Sequence, residues 1–156
     1  MNIAELFKQD KTVFSFEVFP PKKESCIETI YKTLEELKDL KPDFISVTYG
    51  AGGAGVANAT TADLCGLIKN THGIETIAHL SCLYNTKESV DEILAKLKEK
   101  GIENILALRG DVNPDYEVKH DFKYASDLTE YIIKTTQDLM YREHVIRRYI
   151  RKLPIW

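Results

Sequence analysis

Four short stretches of the sequence carry residue types that could take part in chemistry, and each lies where an apolar run ends. Glu17 stands inside "FSFEVFPP", and a glycine-rich run, "VTYGAGG", spans Val47–Gly53. His79 lies in "IAHLSC", and "LRGD" ends at Asp111. In parallel α/β folds the functional residues lie where strands end and loops begin. These positions therefore predict one site, to which four strands each contribute.

Glu17 is a candidate general acid. It stands between Phe16 and Val18, where burial of a carboxylate is costly and raises its pKa, as acid catalysis near neutral pH requires. An alternative is equally compatible with the sequence. In that alternative Glu17 pairs with a basic residue in the core or faces water on an edge strand.

The glycine-rich run and "LRGD" are candidate ligand-binding turns. Glycine permits positive φ and leaves backbone amides bare, so the run could cradle a phosphate or approach a flat ring, although a flexible loop is equally compatible. Arg109 could pair with a phosphate or a carboxylate, and Asp111 could accept a hydrogen bond from a heterocycle N–H. The alternative for both residues is an ordinary ion pair in a surface turn.

His79 and the cysteines indicate no metal chemistry. His79 is more typical of a hydrogen-bonded core histidine than of a catalyst or ligand. No His or Cys residues show metal-ligand spacing, and we expect no metal site. Cys26, Cys65 and Cys82 form no C-x-x-C pair and predict reduced, partly buried thiols.

The elements that must position these residues alternate between strand and helix. Continuous apolar runs rich in β-branched and aromatic residues predict strands, and apolar residues at helical spacing predict the helices between them. Ser25 and Thr86 stand at capping positions, and Gly101 stands where a helix should end. The predicted strands are Thr12–Phe19, Phe44–Gly50, Glu75–Cys82 and Glu103–Asp111, and the predicted helices span about 25–40, 60–69, 86–101 and 124–136.

Four βα units in a row predict a parallel sheet covered on both faces. Two architectures fit this pattern. A doubly wound sheet could close with four or five strands, whereas a (β/α)₈ barrel needs eight units and roughly 250 residues. If the fold is a barrel, this chain carries about half of it.

The composition is that of one soluble globular domain. The 156 residues are 44% hydrophobic and 10% aromatic, with a net charge of −3. An acidic body argues against a nucleic-acid surface. No apolar run approaches the roughly 20 residues that span a membrane, and the first residues lack a signal-peptide pattern. We expect a cytoplasmic protein that binds neither nucleic acid nor a membrane.

In this order and at these spacings, "FSFEVFPPK", "ISVTYGAGG", "AHLSC", "ILALRGD" and "YASDL" closely resemble methylenetetrahydrofolate reductase, a flavoprotein family of one-carbon metabolism. The resemblance covers about residues 12–138. It implies a (β/α)₈ TIM barrel that binds FAD, of which this chain carries about the first four βα units. It also implies that NADH or NADPH reduces the flavin, which then reduces 5,10-methylenetetrahydrofolate to 5-methyltetrahydrofolate, the methyl source for methionine synthesis.

The resemblance assigns roles to individual residues. Glu17 matches the acid that protonates the folate, so that its imidazolidine ring opens to an iminium able to accept hydride. Asp111 matches an aspartate beside flavin and folate, whose charge favours that cation. Pro20 and Pro21 match a turn that follows the acid. The residues that match contacts to flavin or nicotinamide are Thr48, Tyr49, Ala51, His79, Arg109, Gly110, Asp111 and Ala125.

The segment after Asp138 departs from the family pattern. Leu139–Trp156 holds five basic residues and one acidic residue, on a chain that is otherwise acidic. One permitted choice of codons for this segment, shifted by one base, encodes "FDVSGACYPEVHPEAADL", which matches the family's next strand and loop. We therefore expect a partial flavin-binding catalytic domain over 1–138 and an out-of-frame basic tail over 139–156. The alternative is a basic amphipathic helix for a partner or a membrane surface.

The expected whole protein is a homo-oligomeric reductase, whereas this chain alone should be inactive or very weak. A half barrel leaves sheet edges unpaired and an apolar face uncovered. Two other functional classes stay open. The chain could be a flavin- or nucleotide-binding half-barrel module without catalysis, or a non-enzymatic interaction domain that uses its tail.

Overall fold

Five parallel strands, paired in chain order, form the sheet that positions the site. The computed structural model describes residues 1–21, 27–49, 60–115, 117–135 and 145–147. The strands are β1 (Ser15–Val18), β2 (Phe44–Val47), β3 (Thr76–Ser81), β4 (Asn104–Leu108) and β5 (Val145–Arg147). The order has no reversal, which is the arrangement of a barrel and not of a doubly wound sheet with a switch point. The predicted parallel α/β architecture is confirmed.

Within the described residues, one α-helix follows each of the first four strands: α1 (Ile27–Lys38), α2 (Thr61–His72), α3 (Lys87–Glu99) and α4 (Ala125–Thr135). All four predicted βα units are present. The predicted strands extend beyond the paired residues. β1, for example, pairs with β2 only from Ser15, opposite Phe44, to Val18, opposite Val47, so its predicted ends lie outside the ladder.

Local chemistry fixes the helix ends. Thr60 caps α2 in a capping box with Asp63, and Thr86 caps α3 in the same way with Ser89. The left-handed glycine Gly73, at φ 69°, ends α2 three residues beyond the predicted position. The predicted cap Thr86 is confirmed, whereas the predicted cap Ser25 lies outside the described residues.

The main core lies between the sheet and its helices. β2 and β3 are buried along their whole length, as expected of parallel strands covered on both faces. Fully buried aliphatic side chains from the sheet meet those of the helices, and they include Ile45, Leu64, Ile68, Leu80, Leu97, Ile105, Leu128 and Ile132. This packing sets the positions at which the strands end.

A short 3₁₀-helix, Ile3–Lys8, closes the amino-terminal end of the sheet and was not predicted. Its Ile3 and Leu6 pack on Phe44 and Ile77 in a second apolar cluster. The fully buried amide of Asn104 accepts a hydrogen bond from the Ile3 backbone at 3.0 Å. This end of the sheet is therefore occupied by packing, which leaves the opposite end for a site.

The basic tail contributes the last strand. Val145–Arg147 pairs in parallel with β4, with Ile105 opposite Val145. The alternative of an amphipathic helix is wrong for these three residues, because they form a strand, and the other residues of 139–156 lie outside the described part. No helix among the described residues is long and apolar enough to cross a membrane.

Candidate functional site

The carboxyl ends of β1 to β4 form one rim, and most of the predicted site residues lie there. Glu17 is the third residue of β1, and Thr48 and Tyr49 directly follow β2. His79 lies in the second half of β3, and Arg109 directly follows β4. Parallel strands bring these ends to the same edge, so the predicted convergence is observed.

Glu17 and His79 meet on this rim. Oε2 of Glu17 lies 3.6 Å from Nε2 of His79 and 3.4 Å from Oγ of Ser46, which stands between them on β2. The His79 side chain is 8% exposed and that of Glu17 is 50% exposed. The expectation of a buried Glu17 is therefore wrong. The alternative is observed, because β1 is an edge strand within the described sheet and leaves this carboxylate open to water.

The residues after β2 are held from two sides. The Thr48 backbone N–H donates to the Val18 carbonyl at 3.0 Å, and the Thr61 hydroxyl at the start of α2 donates to the Thr48 carbonyl at 2.9 Å. The Tyr49 hydroxyl donates to Oδ1 of Asn85 at 3.2 Å. Burial raises the pKa of Tyr49 above its ordinary value, so the phenol stays protonated at neutral pH. The predicted contact Ala51 lies outside the described residues.

The turn after β4 approaches β3 at van der Waals distance. Gly110 has φ 84°, and a Cβ atom there would lie 3.2 Å from Cβ of Ser81. The backbone N–H of Leu83 donates to the Arg109 carbonyl at 3.2 Å. Only glycine fits this conformation without strain, because φ is positive and Ser81 fills the space that a Cβ atom would need.

The side chains of the same turn are open to solvent. Arg109 and Asp111 are both exposed, and no carboxylate of the described residues lies within 4.0 Å of the Arg109 guanidinium. Arg109 also borders a cavity of about 330 Å³ that is lined by Lys119, His120 and Lys123 as well. Lys119 pairs with Glu117 at 2.6 Å. The Arg109 guanidinium on this side of the rim is therefore suited to pair with an anionic group.

Two predicted site residues stand apart from the Glu17–His79 contact. Asp111 follows β4, so β2 and β3 lie between it and Glu17. Ala125 is the first residue of α4, and its carbonyl accepts from the Thr129 hydroxyl at 2.8 Å. Their proposed contacts need a ligand long enough to span the rim, as a dinucleotide is.

The rim fits the cofactor that the sequence predicts. Gly110 provides backbone without a side chain at this rim, and the exposed Arg109 guanidinium provides positive charge. FAD carries a flat ring system and a diphosphate that match these features. No group of three or more His, Cys, Asp or Glu side chains within the described ranges is arranged to hold a metal ion.

Three residues at the rim were not predicted from the sequence: Ser46, Tyr84 and Asn85. Ser46 lies opposite Glu17 in the β1–β2 register, and its alternation along β2 could have placed it on the rim. Tyr84 and Asn85 lie in the loop between β3 and α3, beside the predicted cap Thr86. Their contacts join residues distant in sequence, and no local pattern signals such contacts.

Comparison with known proteins identifies the family. The family model described as methylenetetrahydrofolate reductase matches residues 2–142. The chain is 34% identical over 135 residues to Methylenetetrahydrofolate reductase (NADH) 1 of Arabidopsis thaliana. It is 39% identical over 127 residues to 5,10-methylenetetrahydrofolate reductase of Escherichia coli K12, and 34% identical over 142 residues to Methylenetetrahydrofolate reductase 2 of Saccharomyces cerevisiae.

These matches take in most of this chain and a smaller part of each relative. They cover 84% of this chain and 22% of the Arabidopsis protein, and 81% of this chain and 41% of the E. coli protein. The chain thus spans between about a fifth and two fifths of the length of these relatives. Strand order, rim geometry and sequence agree: the chain belongs to the methylenetetrahydrofolate reductase family, whose barrel is of the TIM type.

Proposed function

We propose that this chain supplies part of the active site of an FAD-dependent enzyme that reduces 5,10-methylenetetrahydrofolate to 5-methyltetrahydrofolate with NADH or NADPH. Such a reaction provides methyl groups for methionine synthesis. The observation that carries the proposal is the contact of 3.6 Å between Glu17 and His79 on the rim that Arg109 and Gly110 also reach. The names of the relatives support the folate substrate, and one of them supports NADH as donor.

Each group on the rim has a definite task in this proposal. FAD, when bound, accepts hydride from the nicotinamide and delivers it to the folate. Thr48, Tyr49, His79 and Gly110 would hold the cofactor through the backbone and ring surfaces described above. Arg109 would pair with a negative group of the cofactor, since its guanidinium has no carboxylate partner among the described residues.

Glu17 would act as the proton donor. Its carboxyl group would transfer a proton to the folate, so that the five-membered ring opens to a cationic iminium that accepts hydride. Asp111, across the rim, would place a negative charge near that cation and stabilise it. The neighbouring His79 and Ser46 would hold the carboxyl group in position, since both lie within 3.6 Å of Oε2.

We further propose that the 156-residue chain binds flavin but does not complete turnover by itself. Glu17 is half exposed on β1, which pairs with β2 alone among the described elements, so this proposed proton donor faces water instead of a closed site. The basic segment 139–156 is proposed to be out-of-frame sequence that follows the flavin domain 1–138, although its residues Val145–Arg147 pair with β4 of that domain. Sequencing DNA across the Asp138 codon tests this segment, because a restored "FD…ACYPE" frame is expected one base away.

Flavin binding and turnover are tested separately. The purified chain is titrated into FAD and flavin fluorescence is followed, and we expect saturable quenching. With 5,10-methylenetetrahydrofolate and NADH or NADPH added, we expect no folate-dependent oxidation of the nicotinamide. A chain that leaves FAD fluorescence unchanged would contradict the flavin proposal. Folate-dependent oxidation that Glu17→Gln abolishes would contradict the absence of turnover and support Glu17 as the acid.

A further inference from the structure

The loop between β3 and α3 joins both sides of the rim through two adjacent side chains. We propose that Tyr84 and Asn85 are positioning residues, in which Tyr84 fixes the turn that carries Asp111 and Asn85 fixes the phenol of Tyr49. The inference rests on the proposed function, because Tyr49 and Asp111 are its predicted cofactor and substrate contacts. Tyr84 and Asn85 would not contact the ligand themselves. They would hold Asp111 and Tyr49 in place to do so.

Tyr84 binds the turn after β4 through a single hydroxyl. Its Oη donates to the Asp111 carbonyl at 2.9 Å and accepts from the Asn113 backbone N–H at 2.5 Å. A phenol can act as donor and acceptor at once, and here both bonds end on the turn. The backbone of the preceding Leu83 adds two more bonds, to Arg109 at 3.2 Å and from Lys119 at 2.7 Å. Hydrogen bonds thus hold the loop between β3 and α3 against the turn that follows β4.

Asn85 reaches the opposite side of the rim. Its side chain is 4% exposed, and its Oδ1 accepts from the Tyr49 hydroxyl at 3.2 Å and from the Ser89 hydroxyl at 3.0 Å. Its Nδ2 donates to the Ser81 carbonyl at 2.7 Å. Because a carbonyl accepts only from the amide nitrogen, this bond fixes the orientation of the amide and turns Oδ1 toward Tyr49.

A role in helix capping alone does not account for these contacts. Thr86 and Ser89 already form the capping box of α3. The two hydrogen bonds of the Tyr84 hydroxyl go to Asp111 and Asn113 in the turn after β4, and not to the amino terminus of α3. The hydrogen bond between Asn85 and Tyr49 likewise leaves α3 and reaches the segment that follows β2. Both residues therefore connect the loops that carry predicted ligand contacts.

The first test removes one hydroxyl and leaves the ring. Tyr84→Phe deletes both bonds to the turn, and Tyr131→Phe is the matched control, since its hydroxyl binds Asp91 between α3 and α4 at 3.0 and 3.1 Å. We expect the dissociation constant for FAD to rise about three- to tenfold in Tyr84→Phe, the usual effect of one or two lost hydrogen bonds. We expect Tyr131→Phe to keep the affinity of the unsubstituted chain.

A second readout does not depend on FAD. Backbone amide exchange in the ligand-free chain reports the Asn113 N–H directly, because its acceptor is the Tyr84 hydroxyl. We expect exchange at Asn113 to accelerate in Tyr84→Phe and to stay unchanged in Tyr131→Phe. Equal melting temperatures of the two variants would show that any difference in FAD affinity arises at the turn and not from general loss of stability.

The second part of the proposal, that Asn85 fixes Tyr49, is tested by substituting each partner of their hydrogen bond. Asn85→Ala leaves buried partners unsatisfied and can unfold the chain, so Tyr49→Phe probes the same bond from its less buried end. In the folded variants we expect non-additive losses of FAD affinity, with the double substitution no weaker than the more damaging single one. If Asn85→Ala does not fold, Tyr49→Phe still tests the same bond, because an unchanged FAD affinity in that variant overturns the Asn85 half.

The outcomes separate this inference from the proposed function. Absence of FAD binding by the unsubstituted chain contradicts the proposed function, and Asn113 exchange then decides whether Tyr84 holds the turn. FAD binding that is equal in the unsubstituted chain, Tyr84→Phe and Tyr131→Phe overturns the Tyr84 half while leaving the proposed function intact. Weakened binding and faster Asn113 exchange confined to Tyr84→Phe support it.

Discussion

β3 and β1 supply the two partners of one contact from opposite environments. All six side chains of β3 are buried, and His79 among them is 8% exposed. The side chains of β1 alternate between exposed and half-buried, and Glu17 is 50% exposed. The two strands are separated only by β2. The rim therefore changes from a packed interior to an open edge over two strand spacings, roughly 10 Å.

The difference shows where the site is firmly held and where it is not. His79 is fixed by core packing on both faces of β3, whereas Glu17 stands on a strand that pairs with β2 alone among the described elements. Beside β1 lies a groove of about 330 Å³, lined partly by Phe16, Val18 and Leu34. The proposed proton donor thus lies on the more open strand, and its exposure to water is the physical basis for the proposed absence of turnover.

The largest effect is expected from a cavity in β3. Leu80→Ala removes a fully buried side chain and should lower the free energy of unfolding by about 2–5 kcal/mol. Urea denaturation followed by circular dichroism measures the change. Leu40→Ala, at a position 58% exposed, is the control and should change stability by less than about 0.5 kcal/mol. Similar losses in both variants would show that β3 is not the rigid centre.

Two valines, one on β1 and one on β2, test whether β1 is more exposed than the centre of the sheet, because the same side chain is shortened at both positions. Val47 on β2 is fully buried, and Val18, its register partner on β1, is half-buried. Val47→Ala should cost about 2 kcal/mol, because two methyl groups at about 0.8 kcal/mol each leave buried positions and a cavity remains. Val18→Ala should cost less than about 1 kcal/mol, because much of its surface already contacts water.

Urea denaturation of both valine variants under the same conditions gives the comparison. A loss for Val18→Ala that equals the loss for Val47→Ala would mean that the outer side of β1 is covered in solution. Such a result would show that β1 is buried to the same degree as the central strands β2 and β3. It would also remove the reason given for the exposure of Glu17.

The strands and helices could be predicted because their signals are local. The apolar spacing that predicts α3 follows from the turn of a helix, and the cap at Thr86 needs only the residues that follow it. Convergence of Glu17, His79 and Arg109 followed from the parallel topology, since strand ends share one edge. The short 3₁₀-helix was missed because its buried residues, Ile3 and Leu6, give no sustained period.

The environment of Glu17 could not be predicted in the same way. Its apolar neighbours are the same whether or not another strand covers the outer edge of β1, so burial depends on partners that the local sequence does not specify. The bonds of Tyr84 to Asp111 and of Asn85 to Tyr49 depend likewise on the close approach of loops distant in sequence. Such contacts become visible only once the strands are in register.

The smallest predicted effect concerns α4. This helix packs against the main core through Leu128 and Ile132. Asp127 accepts hydrogen bonds at 2.9 Å from the backbone N–H groups of Tyr124 and Lys123, and these bonds lower the pKa of its carboxyl group. A lowered folded-state pKa means that the stabilisation is present above the ordinary value of 3.8 and is lost as the pH falls through the lowered one.

Asp127→Asn separates this charge from the shape of the cap. The amide oxygen can still accept a hydrogen bond, so the variant should be less stable than the unsubstituted chain near pH 6. It should be nearly equal to it at an acidic pH below the lowered pKa of Asp127, where that carboxyl group is protonated. Asp127→Ala removes the acceptor and should be less stable at both pH values. Urea denaturation at each pH measures the differences. A deficit of Asp127→Asn that does not change with pH would show that the charge of Asp127 adds nothing, and the firm hold on α4 would then rest on Leu128 and Ile132 alone.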